Sequence, residues 1–216
     1  ILTTITPANV LGLQELNRFL VDRDLPFRYS FYRDNLDKDH DDLKFFINDL
    51  SSTLNNCYDY YIKSIDNRGT MSNHQLCDIS LNKKPRLRSC DAGYSGATIN
   101  HEGNVFICQA IMNKNPIGHV SDSHTLLQMI WEQKTLPELA TKSVYDYDNC
   151  KNCQWMLVCG GGCPVTSFNT SGSVATSSPY CDIFKKMIPR LIEIKALQLI
   201  KSHLNTKTKG GDKFER

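Results

Sequence analysis

Seven of the nine cysteines in this chain form a spaced array, which few proteins need unless they hold two metal centres. The seven are Cys90, Cys108, Cys150, Cys153, Cys159, Cys163 and Cys181. The middle four read C-x2-C-x5-C-x3-C, so neighbouring thiols can converge from one turn while the distant cysteines close the cage. Three glycines, at positions 160–162, separate the last two of these four. Because glycine has no Cβ, they let the backbone wrap close to a bulky inorganic group.

Thiolates at this density are typical of soft-metal sites, and Cys₄ sets are the usual ligands of iron–sulfur clusters. Zinc stays open, because C-x2-C pairs are also common zinc ligands. A disulfide scaffold is disfavoured by the odd cysteine count, by the length of 216 residues and by the lack of a basic-then-apolar leader. Buried packing thiols would explain one or two cysteines rather than seven. The spacing therefore predicts metal centres and favours iron–sulfur clusters over zinc.

Composition limits the partners that we expect. The formal net charge is +2, and no apolar run approaches the ~20 residues that span a bilayer, so neither nucleic acid nor a membrane is predicted as a partner. Thiol-rich metal sites without a secretion signal predict a reducing, cytoplasmic setting. The chain begins at Ile1 with a strand-like run, so we expect a piece of a longer protein.

The first part of the chain alternates strand and helix patterns. The β-branched run Ile1–Thr6 predicts a strand, and Pro26–Tyr32 predicts a second one. Apolar residues recur near the helical period over residues 11–20, and Asp41–Ile65 predicts a second helix with Cys57 on its apolar stripe. Strand, helix, strand, helix is the rhythm of a parallel α/β layer, so the predicted fold class is α/β.

The pattern changes after Cys90. Two short strand patterns, over residues 97–100 and 105–108, flank a turn in which Gly103 supplies a positive φ. This predicted hairpin presents Cys108 at its end.

Two helices are predicted further along. Thr125–Thr141 predicts a helix interrupted near Pro137, and Cys181 opens a final helix that contains Pro189. The apolar stripe of the final helix is Phe184, Met187, Leu191 and Ile194. From Asn205 the Lys- and Gly-rich tail predicts disorder.

The cysteine array resembles that of a known family. It reads C-x12-G-x4-C from Cys90, with Gly103 as the glycine, then C-x2-C-x5-C-x3-C, and then Cys181. This resembles the SPASM domain, the C-terminal extension of many radical S-adenosylmethionine (SAM) enzymes, which carries two auxiliary 4Fe–4S clusters. By position, the resemblance implies Cys90, Cys108 and Cys163 as ligands of the first auxiliary cluster, and Cys150, Cys153, Cys159 and Cys181 as ligands of the second.

The same resemblance implies the organisation of the chain: the C-terminal part of a partial (β/α) barrel, followed by a small α+β SPASM iron–sulfur domain. The implied parts are 1–66 for the end of the radical SAM barrel, 67–87 for a bridge, 88–185 for the auxiliary-cluster domain, 186–204 for a C-terminal helix and 205–216 for a disordered tail.

Cleavage of SAM needs a further cluster. Radical SAM enzymes hold it with C-x3-C-x2-C, which this chain lacks: Cys159 and Cys163 give C-x3-C, but residue 166 is Thr. This polypeptide alone is therefore not expected to cleave SAM, and the resemblance assigns SAM and a third 4Fe–4S cluster to a full-length parent. Arg28 and Arg33 are candidate contacts to the SAM carboxylate or ribose, because a guanidinium pairs such groups bidentately. Solvated, structural arginines are an equally good interpretation of both.

The first auxiliary cluster has only three motif cysteines. Cys77 is a possible fourth ligand, and an open iron that binds a substrate thiolate is the other candidate. Asp91 is a third candidate, although its carboxylate is a harder ligand than a thiolate. Cys57 is expected to be a buried packing residue, and Trp155 to shield a cluster. The histidines are expected to be structural.

The resemblance extends to peptide (RiPP) maturases and, more distantly, to anaerobic sulfatase maturases. In the maturases of sulfatases a catalytic acid follows the second motif cysteine, whereas Gln109 follows Cys108 here. The expected function is therefore radical modification of a peptide or protein side chain, as a thioether or carbon–carbon crosslink, with a reductase or flavodoxin-like electron donor as partner. The alternative is a non-catalytic zinc or iron–sulfur module that acts as a scaffold or electron carrier. No catalytic residue is predicted.

Overall fold

The computed structural model describes residues 1–33, 47–68, 74–76, 78–79, 81, 84–112 and 116–209. The chain divides into two compact units. The first unit comprises Ile1–Tyr32, His40–Leu81 and Asp182–Arg216, and the second comprises Arg33–Asp39 and Asn82–Cys181. Each is described by itself below.

The first unit is built on a parallel sheet. Strand β1 (Leu2–Ile5) pairs with β2 (Phe27–Phe31), which pairs with the short β3 (His74–Gln75). Helix α1 (Leu13–Asp22) lies between β1 and β2 in sequence, and α2 (Ile47–Arg68) lies between β2 and β3. The predicted strand–helix–strand–helix order is therefore confirmed, and the fold is mixed α/β. The beginning of the predicted helix, residues 41–46, lies outside the described residues.

A polar network joins the sheet of this unit to two of its helices, α1 and α2. The hydroxyl of Tyr29, fully buried on β2, donates to Oδ1 of Asn17 on α1 at 3.3 Å. Nδ2 of Asn17 donates in turn to the Cys57 carbonyl on α2 at 3.2 Å. Cys57 is 1% exposed, and burial raises the pKa of its thiol to about 12. The prediction that Cys57 is a packing residue is confirmed.

The last helix, α7 (Cys181–Lys209), contains Pro189. Its predicted apolar stripe is buried: Phe184, Met187, Leu191 and Ile194. The helix continues past residue 204, so residues 205–209 are helical where the tail was expected. Those five residues contain no glycine or proline, and Gly210 is the first strong helix breaker that follows Pro189. Residues 210–216 lie outside the described residues. No described helix has the length and apolarity that crossing a bilayer would require.

The second unit contains an antiparallel sheet. Strands β4 (Thr98–Ile99) and β5 (Asn104–Phe106) form the predicted hairpin, and Gly103 at its turn has φ +87°. A third strand, β6 (Gly118–His119), pairs with the other edge of β5 and was not predicted. It is only two residues long, which is too short for an alternating pattern to be visible in the sequence.

Short helices fill the rest of the second unit. Helices α3 (Leu126–Glu132) and α4 (Glu138–Thr141) flank Pro137, which confirms the predicted interruption. They are followed by α5 (Met156–Cys159) and α6 (Pro164–Ser171). A cluster of buried apolar residues packs against two of the array cysteines, Cys108 and Cys163.

Candidate metal centres

All seven cysteines of the array lie in the second unit. None of the described cysteines forms a disulfide. Most of the seven stand where a helix or turn begins or ends: Cys108 caps a 3₁₀ turn, Cys159 ends α5, Cys163 precedes α6 and Cys181 opens α7. At such positions the side chain is displayed from a backbone that is fixed by local hydrogen bonds.

One set of thiols surrounds Cys159. Burial raises the pKa of the Cys159 thiol to about 12, and the Gly161 N–H opposes this rise by donating to it. The remaining contributions come from three neighbouring thiols, whose negative charge would raise the pKa further. We call this set the second thiol group, and its members are Cys150, Cys153, Cys159 and Cys181.

The other set centres on Cys163. Burial of the thiol raises the pKa of Cys90, although the residue as a whole keeps solvent contact. A hydrogen bond from the Ala92 N–H opposes this rise, and the charges of Cys163 and Cys108 add to it. The pKa of Cys108 is raised by burial first, against a hydrogen bond from the Ala110 N–H at 3.5 Å, with a further contribution from Cys163. We call Cys90, Cys108 and Cys163 the first thiol group.

The two thiol groups have the membership that the resemblance implied for the two ligand sets. Cys159 and Cys163 are only four residues apart, yet each interacts with a different set of thiols. Among the described residues, no group of three or more His, Cys, Asp or Glu side chains is arranged to hold a single metal ion. That either group binds iron stays a prediction.

The glycine triplet explains how the chain reverses between the two groups. Gly160, Gly161 and Gly162 have φ values of +68°, +89° and +77°, a region that side chains with a Cβ rarely adopt. A Cβ on Gly160 would lie 2.9 Å from the backbone of Arg88 and Ser89, and one on Gly161 would lie 2.5 Å from Cε2 of Tyr147. The triplet therefore provides both the turn and the space for close packing.

Backbone hydrogen bonds hold the segment before Cys90 against the cysteine-rich loop. The Arg86 N–H donates to the Leu157 carbonyl at 2.7 Å, and the Val144 N–H donates to the Leu87 carbonyl at 2.8 Å. The Ser178 N–H donates to Gly161 O at 3.3 Å, which ties the segment leading to Cys181 to the glycine triplet. The bond between Arg86 and Leu157 joins residues that are 71 positions apart in the sequence, so these contacts form only when distant segments fold together.

Tyr147 and Arg88 are residues of this region that sequence reasoning missed. Tyr147 is 5% exposed and packs with Val144 and Cys150 in a small apolar cluster. Burial raises the pKa of its hydroxyl, and the charges of Arg88, Cys150 and Cys90 all act on it. The Cζ of Arg88 lies 4.0 Å from the ring centroid of Tyr94. No motif marks either residue, so only their neighbourhood reveals them.

The remaining predicted site residues are placed as follows. Arg28 is exposed on β2, opposite Leu2 of β1. Arg33 is half-buried in the other unit, and its charge opposes the rise in the pKa of Cys108. Contact of either arginine with SAM stays a prediction. Cys77 lies outside the described residues. Trp155 is half-buried directly before α5, and its shielding role also stays a prediction.

Residues 90–154 match the family model of SPASM, which is described as an iron–sulfur cluster-binding domain. This is the domain that the cysteine pattern resembles, and the match covers residues 90–154. Among curated proteins it is 25% identical over 155 residues to an uncharacterized protein of Archaeoglobus fulgidus, a match that covers 64% of this chain and 36% of that protein. It is 23% identical over 156 residues to the cysteine-type anaerobic sulfatase-maturating enzyme of Clostridium perfringens, covering 68% of this chain and 41% of the enzyme.

Solved structures show the same fold. Native anSMEcpe with bound AdoMet has a TM-score of 0.63 at 18% identity, and the match covers 90% of this chain and 56% of that one. Streptococcus suis SuiB bound to S-adenosylmethionine has a TM-score of 0.50 at 17% identity, covering 82% and 43%. The predicted resemblance to anaerobic sulfatase maturases is confirmed, and SuiB is a further structure of similar fold. The chain spans about two fifths of the length of the curated relatives it matches.

Proposed function

We propose that this chain is the C-terminal portion of a radical SAM/SPASM enzyme, that it binds two auxiliary 4Fe–4S clusters, and that it supports radical modification of a peptide or protein side chain. The observation that carries the proposal is the separation of seven cysteines into two thiol groups within one compact unit. The four thiols of the second group match the Cys₄ ligation of such clusters, and the three of the first group leave one position to another ligand.

The surroundings of the thiols fit this kind of group. Soft sulfur donors predominate, and backbone N–H groups of Ala92, Ala110 and Gly161 donate towards them, as expected for sulfur that carries negative charge. The glycine triplet has no side chains, so the backbone beside the cysteines carries no Cβ atoms that would occupy the space. Bound clusters would supply one-electron transfer. The residues of this chain would hold them, limit solvent access and orient the thiolates.

The first unit supports the proposal that this chain is part of a longer radical SAM enzyme. In this proposal its parallel β1–β2–β3 sheet with α1 and α2 is the last part of a partial (β/α) barrel. SAM and a third 4Fe–4S cluster belong to the full-length parent, with Arg28 and Arg33 as contacts to SAM. The electron donor would be a reductase or a flavodoxin-like protein in the cytoplasm.

The proposed substrate is a peptide or a protein. One structure of similar fold is titled with a bound Cp18Cys peptide in addition to AdoMet. Gln109 is exposed at the start of the 3₁₀ turn that Cys108 caps. An amide does not accept a proton near neutral pH, so Gln109 cannot replace a carboxylate at this position. This difference favours formation of a thioether or carbon–carbon crosslink over sulfatase maturation.

Anaerobic reconstitution tests the cluster assignment. We expect a brown protein that absorbs broadly near 400 nm and carries about seven to eight irons per chain, because two 4Fe–4S clusters contain eight. Iron and sulfide analysis with absorption spectroscopy measures this. A colourless protein that binds zinc stoichiometrically and takes up no iron would contradict the proposal and favour the zinc scaffold.

A second experiment concerns the fourth ligand of the first cluster. We propose an iron that is open to a substrate thiolate, because the first thiol group contains three cysteines. Cys77→Ala is therefore expected to leave iron content and the absorption and EPR spectra unchanged, as is Cys57→Ala, whose thiol is buried in the first unit. Loss or spectral change of one cluster in Cys77→Ala alone would make Cys77 the fourth ligand.

A further inference from the structure

Arg88 has an unusual environment for a charged side chain. Its guanidinium lies over the ring of Tyr94, at 4.0 Å from the centroid, and Tyr94 in turn lies 6.1 Å from the ring of Trp131. The residue is half-buried, and its Nε is fully buried without a hydrogen-bond partner among the described residues. A buried N–H that is left unpaired is costly, so such an atom calls for an acceptor.

Arg88 also stands beside both thiol groups. It precedes Cys90 by two residues, and its backbone lies so close to Gly160, the neighbour of Cys159, that a Cβ there would approach it to 2.9 Å. The charges of Arg88, Cys90 and Cys150 all act on the buried hydroxyl of Tyr147. Nε therefore lacks an acceptor in a part of the second unit that also contains cysteines of both thiol groups.

We propose that Arg88 is a positioning residue for the first cluster, whose sulfur accepts a hydrogen bond from Nε–H while the fixed guanidinium charge raises the reduction potential. The inference rests on the proposed function. A hydrogen bond to sulfur and a nearby positive charge both stabilise the reduced cluster, which carries one more negative charge than the oxidised one. Lysine could not replace this geometry, because only the planar guanidinium both stacks on an aromatic ring and presents an Nε–H from a fixed plane.

The test compares reconstituted wild type with Arg88→Gln, Arg88→Lys and Tyr94→Leu. Arg23→Gln is the matched control: the Cζ of Arg23 also lies 4.0 Å from a ring centroid, that of Phe19, but in the first unit. Iron content is measured first, and the two cluster potentials are then measured by EPR-monitored redox titration. Arg88→Gln is then repeated in the Cys181→Ala background, which is expected to keep only the first cluster. A potential shift that is still seen there belongs to the first cluster.

We expect wild-type iron in every variant, with one potential moved to a more negative value in Arg88→Gln and the other unchanged. Arg88→Lys keeps the charge and Tyr94→Leu keeps the N–H, so each is expected to give a smaller shift in the same direction. Arg23→Gln is expected to give none. Unchanged potentials in Arg88→Gln, or loss of iron from it, would overturn the inference, whereas wild type that takes up no iron would instead overturn the proposed function.

Discussion

Replacing Cys181 with alanine is expected to remove about half of the iron, because one of the two proposed 4Fe–4S clusters loses a ligand. Cys181 is the member of the second thiol group that opens α7, so the first turn of that helix should also lose stability when the ligand is gone. Iron per chain after anaerobic reconstitution measures the first effect, and circular dichroism measures the second. Cys57→Ala is the control. Full iron in Cys181→Ala would show that the ligand assignment is wrong.

Double variants make this prediction sharper. Cys159 and Cys181 belong to the same thiol group, so removing both should cost no more iron than removing either one. Cys163 belongs to the other group, so Cys163→Ala combined with Cys181→Ala should leave almost no iron. Equal iron loss in the two double variants would contradict the division into two groups.

Replacing Gly161 with alanine is expected to destabilise the protein by about 2–5 kcal/mol, the sum of backbone strain and overpacking. The strain comes from φ +89°, and the overpacking from the ring of Tyr147, 2.5 Å from the new Cβ. Urea unfolding of the iron-loaded protein under anaerobic conditions measures the loss.

Gly172 provides the matched control, because it has φ +78° but nothing within 4 Å of an added Cβ. Gly172→Ala should therefore cost only the strain, about 1–2 kcal/mol. Tyr147→Ala should be destabilising by itself, yet combining it with Gly161→Ala should cost less than the sum of the two changes, because the clash is gone. Additive losses would show that Tyr147 is not the obstacle.

The sequence was sufficient where local chemistry decides the structure. Gly103 marks the hairpin because a positive φ at its turn favours glycine, and Pro137 marks the break between α3 and α4 because it cannot continue a helix. The buried stripe of α7 follows from apolar residues at helical spacing. The cysteine spacing likewise resembles that of the SPASM domain, whose family model matches residues 90–154.

The sequence was insufficient where the structure depends on contacts between residues far apart in the chain, or where the apolar periodicity of a helix is weak. Helix α6 was not predicted, because it is mostly polar and its hydroxyls bond back along the helix, as Thr170 Oγ1 does to the Thr166 carbonyl at 2.8 Å. Such bonds carry no hydrophobic period. The positions of Tyr147 and Arg88 depend on segments that meet only after folding, so no local pattern marks them.

The cysteines of the two thiol groups are interleaved along the chain, so the order of translation decides which group is complete first. All three thiols of the first group have been synthesised once Cys163 is added, whereas the second group waits for Cys181, eighteen residues later. A nascent chain that has reached the end of α6 therefore offers one complete set of thiols and one that still lacks a member. No truncation from the C-terminal end can keep the complete second group and lose a cysteine of the first, because Cys163 precedes Cys181. The two thiol groups are thus completed one after the other during synthesis, with the three-thiol group complete first.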